Sequence, residues 1–312
     1  MRLDQLKYFI AASQSGSISA AARIVHLAQP AFSAHIRTLE QELGVQLFER
    51  SRKGVVLTEA GQRLYDGAVS LFRHVEQVRE ETVNAATSLT GEVRVVLAAS
   101  AAAMLAGQLY WRTAQQHPQI RLTILDLLRM ESDTLVTSRQ VDFGLLPNVS
   151  TLVGATSEPV LAQDLHLVGR HRPDHIGDEI DFAALKNFPL VMGSRHNQLR
   201  IELENTALRT GNRINIAIEQ DSLSVFRSIV MNGPAFTVVP YSAFAVEIEA
   251  GLLSATRIVN PVIERTLSFV WHEHSELSLS AKAVKDLFRA HIGELLTQHR
   301  MRGRLLEPAL GA

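Results

Sequence analysis

Residues 17–44 read SISAAARIVHLAQPAFSAHIRTLEQELG, two short helical patterns joined by a turn. Ser17 is a good N-cap residue. Ile18, Ala21, Ala22 and Val25 follow it at the i, i+3, i+4, i+7 spacing that gathers apolar side chains on one helix face. The alanines let a second helix approach closely. His26-Leu27-Ala28-Gln29 reads as the turn. Pro30 suits the first turn of a new helix, where a backbone N–H would have no intrahelical partner anyway. From there Phe32, Ile36, Leu39 and Leu43 form one narrow apolar stripe, and Gly44 stops the helix as its C-cap. At about 100° per residue, Ser33, Arg37 and Gln41 project away from that stripe, while Gln29 and Pro30 lie at the exposed N-terminal end. Gln and Arg can make paired hydrogen bonds to base edges, Ser can reach phosphate or base, and a helix N-terminus attracts anions. Such a face suits a DNA groove. A plain solvated helix face is the alternative.

The flanking residues favour the first reading. Leu3, Leu6, Phe9 and Ile10 give a preceding helix that ends near Gly16, which completes a three-helix core. After Gly44, the β-rich runs Val45–Arg50 and Val55–Leu57 enclose the polar turn Ser51-Arg52-Lys53-Gly54. This is a hairpin beside a helix-turn-helix, a wing whose Arg50, Arg52 and Lys53 would neutralise phosphates or enter the minor groove. Residues 1–63 carry eight Lys/Arg against five Asp/Glu, whereas the rest of the chain carries 23 against 27. The basic excess therefore sits at the end read as DNA-binding.

Thr58 caps the next helix, and there the period changes. Leu64, Ala68, Leu71, Val75, Val78, Thr82, Ala85 and Leu89 alternate steps of four and three, the seam of a coiled coil, flanked by Arg73, Glu76, Arg79, Glu80 and Glu81. Pairing of two chains along it would place two winged helices on one DNA. Thr87–Gly91 reads as a hinge. Beyond it the texture is α/β. Strands are expected at Val93–Ala98, Leu122–Leu127 and Val141–Leu146. A second series follows at Leu165–Gly169, Leu190–Met192, Ile214–Ile218 and Phe236–Val239, with a returning strand at Leu267–Trp271. Helices are expected near Met104–Gln116, Leu135–Arg139, Gln198–Arg209, Val225–Met231 and Ala281–Gln298. Two similar α/β units, with a chain that crosses over and returns, suggest two lobes around a cleft.

A length of 312 residues with 46% hydrophobic content is enough for two or three domains. There is no cysteine, which excludes a disulfide framework and thiol chemistry. An amphipathic opening without an apolar leader, and no uncharged run of transmembrane length, lead to the expectation of a soluble, cytoplasmic protein.

The runs LKYF, GSISAAAR, AQPAFSAHIRTLEQELGVQLFER and LTEAG closely resemble the LysR-type transcriptional regulators, and the opening segment looks most like their nitrogen-assimilation-control branch. The likeness is strong over residues 1–66 and rests on architecture thereafter. It implies an α/β multidomain protein: a winged helix-turn-helix over 1–58, a linker helix over 59–90 and a periplasmic-binding-protein-like effector domain over 91–312. Lobe I would take 91–162 plus 266–300, and lobe II 163–265. It further implies a homotetramer built of two dimers, contact with RNA polymerase, and a small-molecule effector that changes the angle between dimers. The family's DNA-contacting positions map onto Gln29, Pro30, Ser33 and Arg37, with Arg50, Arg52 and Lys53 in the wing.

In such folds a ligand sits between the lobes at strand C-termini, close to free helix N–H groups. Four loops qualify. In Ala98-Ala99-Ser100-Ala101, Ser100 would cap the next helix and hold a carboxylate. Asn148 follows a second strand. Ser194 and Arg195 precede a helix, with Arg195 a counter-charge for an anion, and Ser222 follows Asp221 at another helix start. For each, simple helix capping is the competing reading. Two departures from the family pattern count against an anionic effector. Met231-Asn232-Gly233-Pro234-Ala235-Phe236 replaces a glycine-x-glycine turn and is expected to narrow the cleft, and the alanine-rich first loop removes donors.

His272-Glu273-His274 offers two imidazoles but no third metal ligand, so a surface loop is expected. No P-loop, G-x-S-x-G, H-E-x-x-H or deaminase signature occurs, and no cofactor is implied. Two rivals stay open at this level: a DNA-binding protein whose C-terminal part only oligomerises, and an enzyme or solute-binding protein that uses the helix-turn-helix to dimerise.

Overall fold

The computed structural model describes residues 1–51, 54–83, 89–127, 129–149, 152–170 and 177–307. They fall into two compact units, Met1–Ala85 and Ala86–Ala312.

In the first unit, α1 (Leu3–Ser15), α2 (Ile18–Ile24) and α3 (Gln29–Leu43) enclose a core to which each contributes its apolar stripe. Ser17 caps α2 by accepting the Ala20 N–H at 3.4 Å. Helix α3 starts at Gln29, one residue before Pro30, with Ala28 at its N-cap. Phe32, Ile36 and Leu39 are completely buried, each contributing about 1.5–3 kcal/mol by leaving water. Leu43 corrects the expected stripe: it is exposed, because the helix runs past the edge of the core there. Glu40 takes a buried place instead, and its carboxylate accepts the backbone N–H groups of Leu47 at 2.9 Å and Phe48 at 3.3 Å.

The hairpin forms as β1 (Phe48–Ser51) and β2 (Gly54–Leu57), with Phe48 opposite Leu57 and Arg50 opposite Val55. It is pinned at two places. The Phe48 ring lies 5.1 Å from that of Phe9, and the Val55 N–H donates to the Gly16 carbonyl at 3.0 Å. Gly54 has φ +128°, and a Cβ there would lie 2.2 Å from the Gly16 carbonyl oxygen, so both its backbone and its surroundings require glycine. Thr58 caps α4 (Glu59–Val83) through the Gly61 N–H at 2.9 Å. The apolar seam of α4 divides. Ala68 is buried and Leu64 packs on the three-helix core, whereas Leu71, Val75 and Val78 are exposed. Ala85 lies outside the described residues. Leu89 corrects the seam: it packs against the core of the second unit.

The second unit opens with β3 (Gly91–Leu97), α5 (Ala99–Gln116), β4 (Ile120–Asp126), α6 (Arg129–Thr137) and β5 (Phe143–Pro147). Strand β3 pairs in parallel with both β4 and β5. Then comes β6 (Ala155–Gly169), whose first ten residues were not expected as strand. The chain continues through β7 (Glu179–Asp181), β8 (Leu190–Met192), α7 (Gln198–Thr210), β9 (Ile216–Glu219), α8 (Leu223–Asn232), β10 (Phe236–Pro240), the short α9 (Ala245–Glu249) and β11 (Ser254–Val259). It closes with β12 (Glu264–His272), α10 (Leu279–Thr297) and β13 (Arg304–Leu305). The sheet order is β4-β3-β5-β12-β6-β10-β8-β9, with β11 and β13 also on β6 and β7 on β11.

Strand β6 spans both halves of this unit. Its stretch 155–164 pairs with β12, and 165–169 pairs with β10 and β11. A different core lies on each half: Val93, Leu105, Phe143, Phe269 and Phe288 belong to one, and Leu165, Phe182, Leu190 and Leu203 to the other.

Candidate functional sites

One face of α3 is apolar and closed, and the opposite face is open. Gln29, Pro30, Arg37 and Gln41 are exposed and Ser33 is half-buried, although Phe32 and Ile36 on the other side are fully enclosed. Pro30 adds no N–H, so the free donors at this helix start come from its neighbours. Arg37 extends back along the helix, where its Nε–H donates to the Ser33 carbonyl at 3.4 Å. A guanidinium, a hydroxyl and an amide thus share one solvent-facing strip. The backbone of Arg50 belongs to β1, but its side chain and the whole of Arg52 and Lys53 lie outside the described residues.

The second site is a cavity of about 180 Å³ within the α/β unit. Strands β3, β5, β8 and β9 all end on it, and helices α5, α7 and α8 begin there. Their leading N–H groups have no partner within their own helices and give this side of the cavity a positive potential. Its walls are mainly apolar, from Leu127, Leu146, Met192, Leu223, Phe226 and Val239.

Of the residues expected to hold an effector, Ser100 and Asn148 line this cavity. Ser100 does not cap α5, as Ala98 takes the N-cap position. Ser100 lies inside the first turn, and its Oγ accepts the Arg265 Nη2–H at 2.7 Å. Asn148 has φ +49°, and its side-chain oxygen accepts the Thr266 N–H at 3.2 Å, which ties β5 to β12. Ala101 is sealed in the core under α5. Ser194 supplies a backbone N–H to the Asp221 carboxylate at 2.9 Å, and it is Asp221 rather than Ser194 that lines the cavity. Arg195 is exposed and outside the lining, since the loop turns it away from the strand end. Ser222 is the backbone N-cap of α8, but its hydroxyl pairs with that of Ser224 at 2.8 Å and does not line the cavity. Gly233, Pro234 and Ala235 lie beyond the C-terminal end of α8 and line nothing here, so the expected narrowing does not occur.

Two arginines escaped the sequence reading. Arg200 is buried under the 193–197 loop, donates to the Gly193 carbonyl at 3.1 Å and pairs with Glu204 at 2.9 Å and Glu219 at 2.7 Å. Arg265 is only 8% exposed and lines the cavity, donating to Ser100 and, at 3.1 Å, to Gln163 Oε1. Burial pulls its pKa down to about 10, so it stays charged at neutral pH. Its position in the strand was a signal: Arg265 shares parity with Leu267 and Phe269, both of which face the core.

His272 and His274 have ring centroids 5.8 Å apart, and no cluster of three potential metal ligands exists among the described residues. No helix of the described residues is long and apolar enough to cross a membrane.

Comparison with known proteins covers both units. Residues 3–62 match the bacterial regulatory helix-turn-helix protein, lysR family, and residues 86–293 match the LysR substrate binding domain. The chain is 29% identical over 303 residues to the nitrogen assimilation regulatory protein nac of Klebsiella aerogenes, covering 96% of this chain and 98% of that one. It is 27% identical over 244 residues to the transcriptional regulator ClcR of Pseudomonas putida, covering 77% and 83%. Among solved structures, a full-length OxyR variant from Pseudomonas aeruginosa superimposes with a TM-score of 0.72 at 20% identity, covering 94% of each chain. Full-length CbnR complexed with its target DNA gives 0.69 at 22% identity, covering 94% of this chain and 99% of that one. The chain belongs to the LysR family of bacterial transcriptional regulators, DNA-binding proteins with a C-terminal effector-binding domain.

Proposed function

We propose that α3 enters the major groove of promoter DNA, with Gln29, Pro30, Ser33 and Arg37 at the base edges and adjacent phosphates, and Arg50, Arg52 and Lys53 of the wing on the flanking backbone. The carrying observation is the division of α3: its Phe32–Ile36–Leu39 side is completely enclosed, and its Gln29–Arg37 side is open to a partner. Full-length CbnR, which shares this fold, was solved complexed with its target DNA, and this supports DNA as the partner of this chain.

Residues 1–58 act as the DNA-binding domain, 59–90 as the linker and 91–312 as the effector domain, with lobe I 91–162 plus 266–300 and lobe II 163–265. The exposed Leu71–Val75–Val78 seam pairs two chains, and two dimers make the working tetramer. A small organic acid bound in the cavity shifts the lobes, and the tetramer transmits this to DNA bending and to RNA polymerase. The protein works in the cytoplasm and catalyses no reaction.

Footprinting of the intergenic DNA beside its own gene tests the reading. Protection over two separated regions on one face of the duplex, weakened about tenfold or more by Arg37→Ala, is the expected result. Unchanged protection by Arg37→Ala would remove α3 as the reading helix.

A further inference from the structure

Arg265 is a buried cation without a counter-ion among the described residues. Among the described residues no carboxylate lies within ion-pairing distance of it, and its Nε–H, itself buried, has no acceptor. Both groups that it does touch, Ser100 and Gln163, are neutral. Taking a guanidinium out of water without an opposite charge costs several kcal/mol. Buried charges are ordinarily paired, and the open side of this one is the cavity.

The groups around it are set to receive the same kind of partner. Because Ser100 Oγ accepts from Arg265, its own O–H is free to donate elsewhere. Gln163 is held in turn, with its Nε2–H donating to Ser242 Oγ at 3.1 Å, so its oxygen cannot swing away from Arg265. The backbone N–H groups of Ala99 and Ser100 lie in the unpaired first turn of α5, on the cavity wall. A side-chain cation, a hydroxyl and a helix start therefore meet at one end. The remaining wall is mainly apolar, and Asp221, just before α8, adds a carboxylate that repels a second negative charge.

We infer that the cavity takes a monoanion with an apolar body, its carboxylate held by Arg265, Ser100 and the N-terminus of α5, and that it discriminates against both neutral analogues and dianions. This rests on the cavity being the effector site. The alanine-rich first loop is then no obstacle to an anion, because the charge arrives from β12, on the far side of the sequence.

Calorimetry on the full-length protein tests this with benzoate against benzamide, 3-methylbutanoate against 3-methylbutanamide, and the dianions phthalate and succinate. Each monocarboxylate is expected to bind about tenfold or more tighter than its amide and tighter than either dianion. Arg265→Met should bring acid and amide within about twofold of each other, whereas Arg265→Lys, which keeps the charge, should preserve the preference. Amides that match acids, dianions that bind more tightly, no binding of either acid, or an undiminished preference in Arg265→Met would each overturn the inference. If Arg265→Met does not fold, the acid–amide comparison in the wild type and in Arg265→Lys decides it. Gln198→Trp, at an exposed cavity-lining position, separates the two levels. Acid binding that survives in Gln198→Trp means the site is not this cavity. Equal binding of acid and amide that Gln198→Trp abolishes leaves the cavity as the site and removes only the charge assignment.

Discussion

The carboxylate of Glu40, near the end of α3, accepts the backbone N–H of Leu47 at 2.9 Å and so fixes the start of the hairpin to α3. A single buried side chain sets the spacing between the two elements proposed to contact DNA. Glu40→Ala would leave the Leu47 and Phe48 N–H groups without an acceptor and cost about 1–3 kcal/mol. Glu40→Gln retains an oxygen at that place and should cost less. Thermal unfolding of the full chain checks the order, and DNA affinity measured by fluorescence anisotropy should fall in parallel.

Gly54 makes a second, independent demand on the hairpin. Its left-handed backbone and the closeness of the Gly16 carbonyl leave no room for a methyl group. Gly54→Ala is expected to destabilise the unit by more than about 1 kcal/mol, whereas Gly67→Ala, inside α4 where a Cβ meets nothing within 4 Å, should stabilise it by about 0.4–1 kcal/mol. Comparison of the two melting temperatures checks it.

Val78 is half exposed, on the stretch of α4 where the seam leaves its own core. A charge placed there should prevent pairing along the helix. For Val78→Glu, light scattering after size exclusion is expected to show a smaller species than the wild type. An unchanged mass would mean that the chains associate elsewhere.

His166 is buried beside Tyr241, with Nδ1–H donating to the Asp164 carbonyl at 3.2 Å, and burial pulls its pKa down to about 4. The unfolded chain, at about 6.5, then binds the proton more readily than the folded one. The stability of neutral His166 is fully present above about pH 6.5 and is lost as the pH falls towards 4, by up to about 3 kcal/mol. Melting temperatures measured between pH 7.5 and 4.5 should therefore fall less steeply for His166→Gln than for the wild type.

Local rules carried the reading of the first unit far. The stripe of Phe32, Ile36 and Leu39, the Ser17 cap and the glycine stop at Gly44 are all short-range patterns, and helices obey them because each bond closes within four residues. The same rules failed at the edges: Leu43 has the right spacing but no core to face, and Leu89 fits the α4 seam yet packs in the other unit. In the α/β unit the strongly apolar runs were legible as strands, because a strand covered on both faces must be apolar throughout. The first part of β6 and the strands β7, β11 and β13 were not, since their pairing partners lie far along the chain.

The sequence by itself determined the family, the helix-turn-helix and the α/β texture, each of which follows from periodicity or from contiguous motifs. Only the tertiary structure decided what faces the cavity. Arg195 and Arg265 look alike in the sequence, but one is turned to solvent, and the other is buried against Ser100 across 165 residues of chain. The strand parity of Arg265 marks it as inward-facing, but which groups it meets there depends on long-range strand pairing.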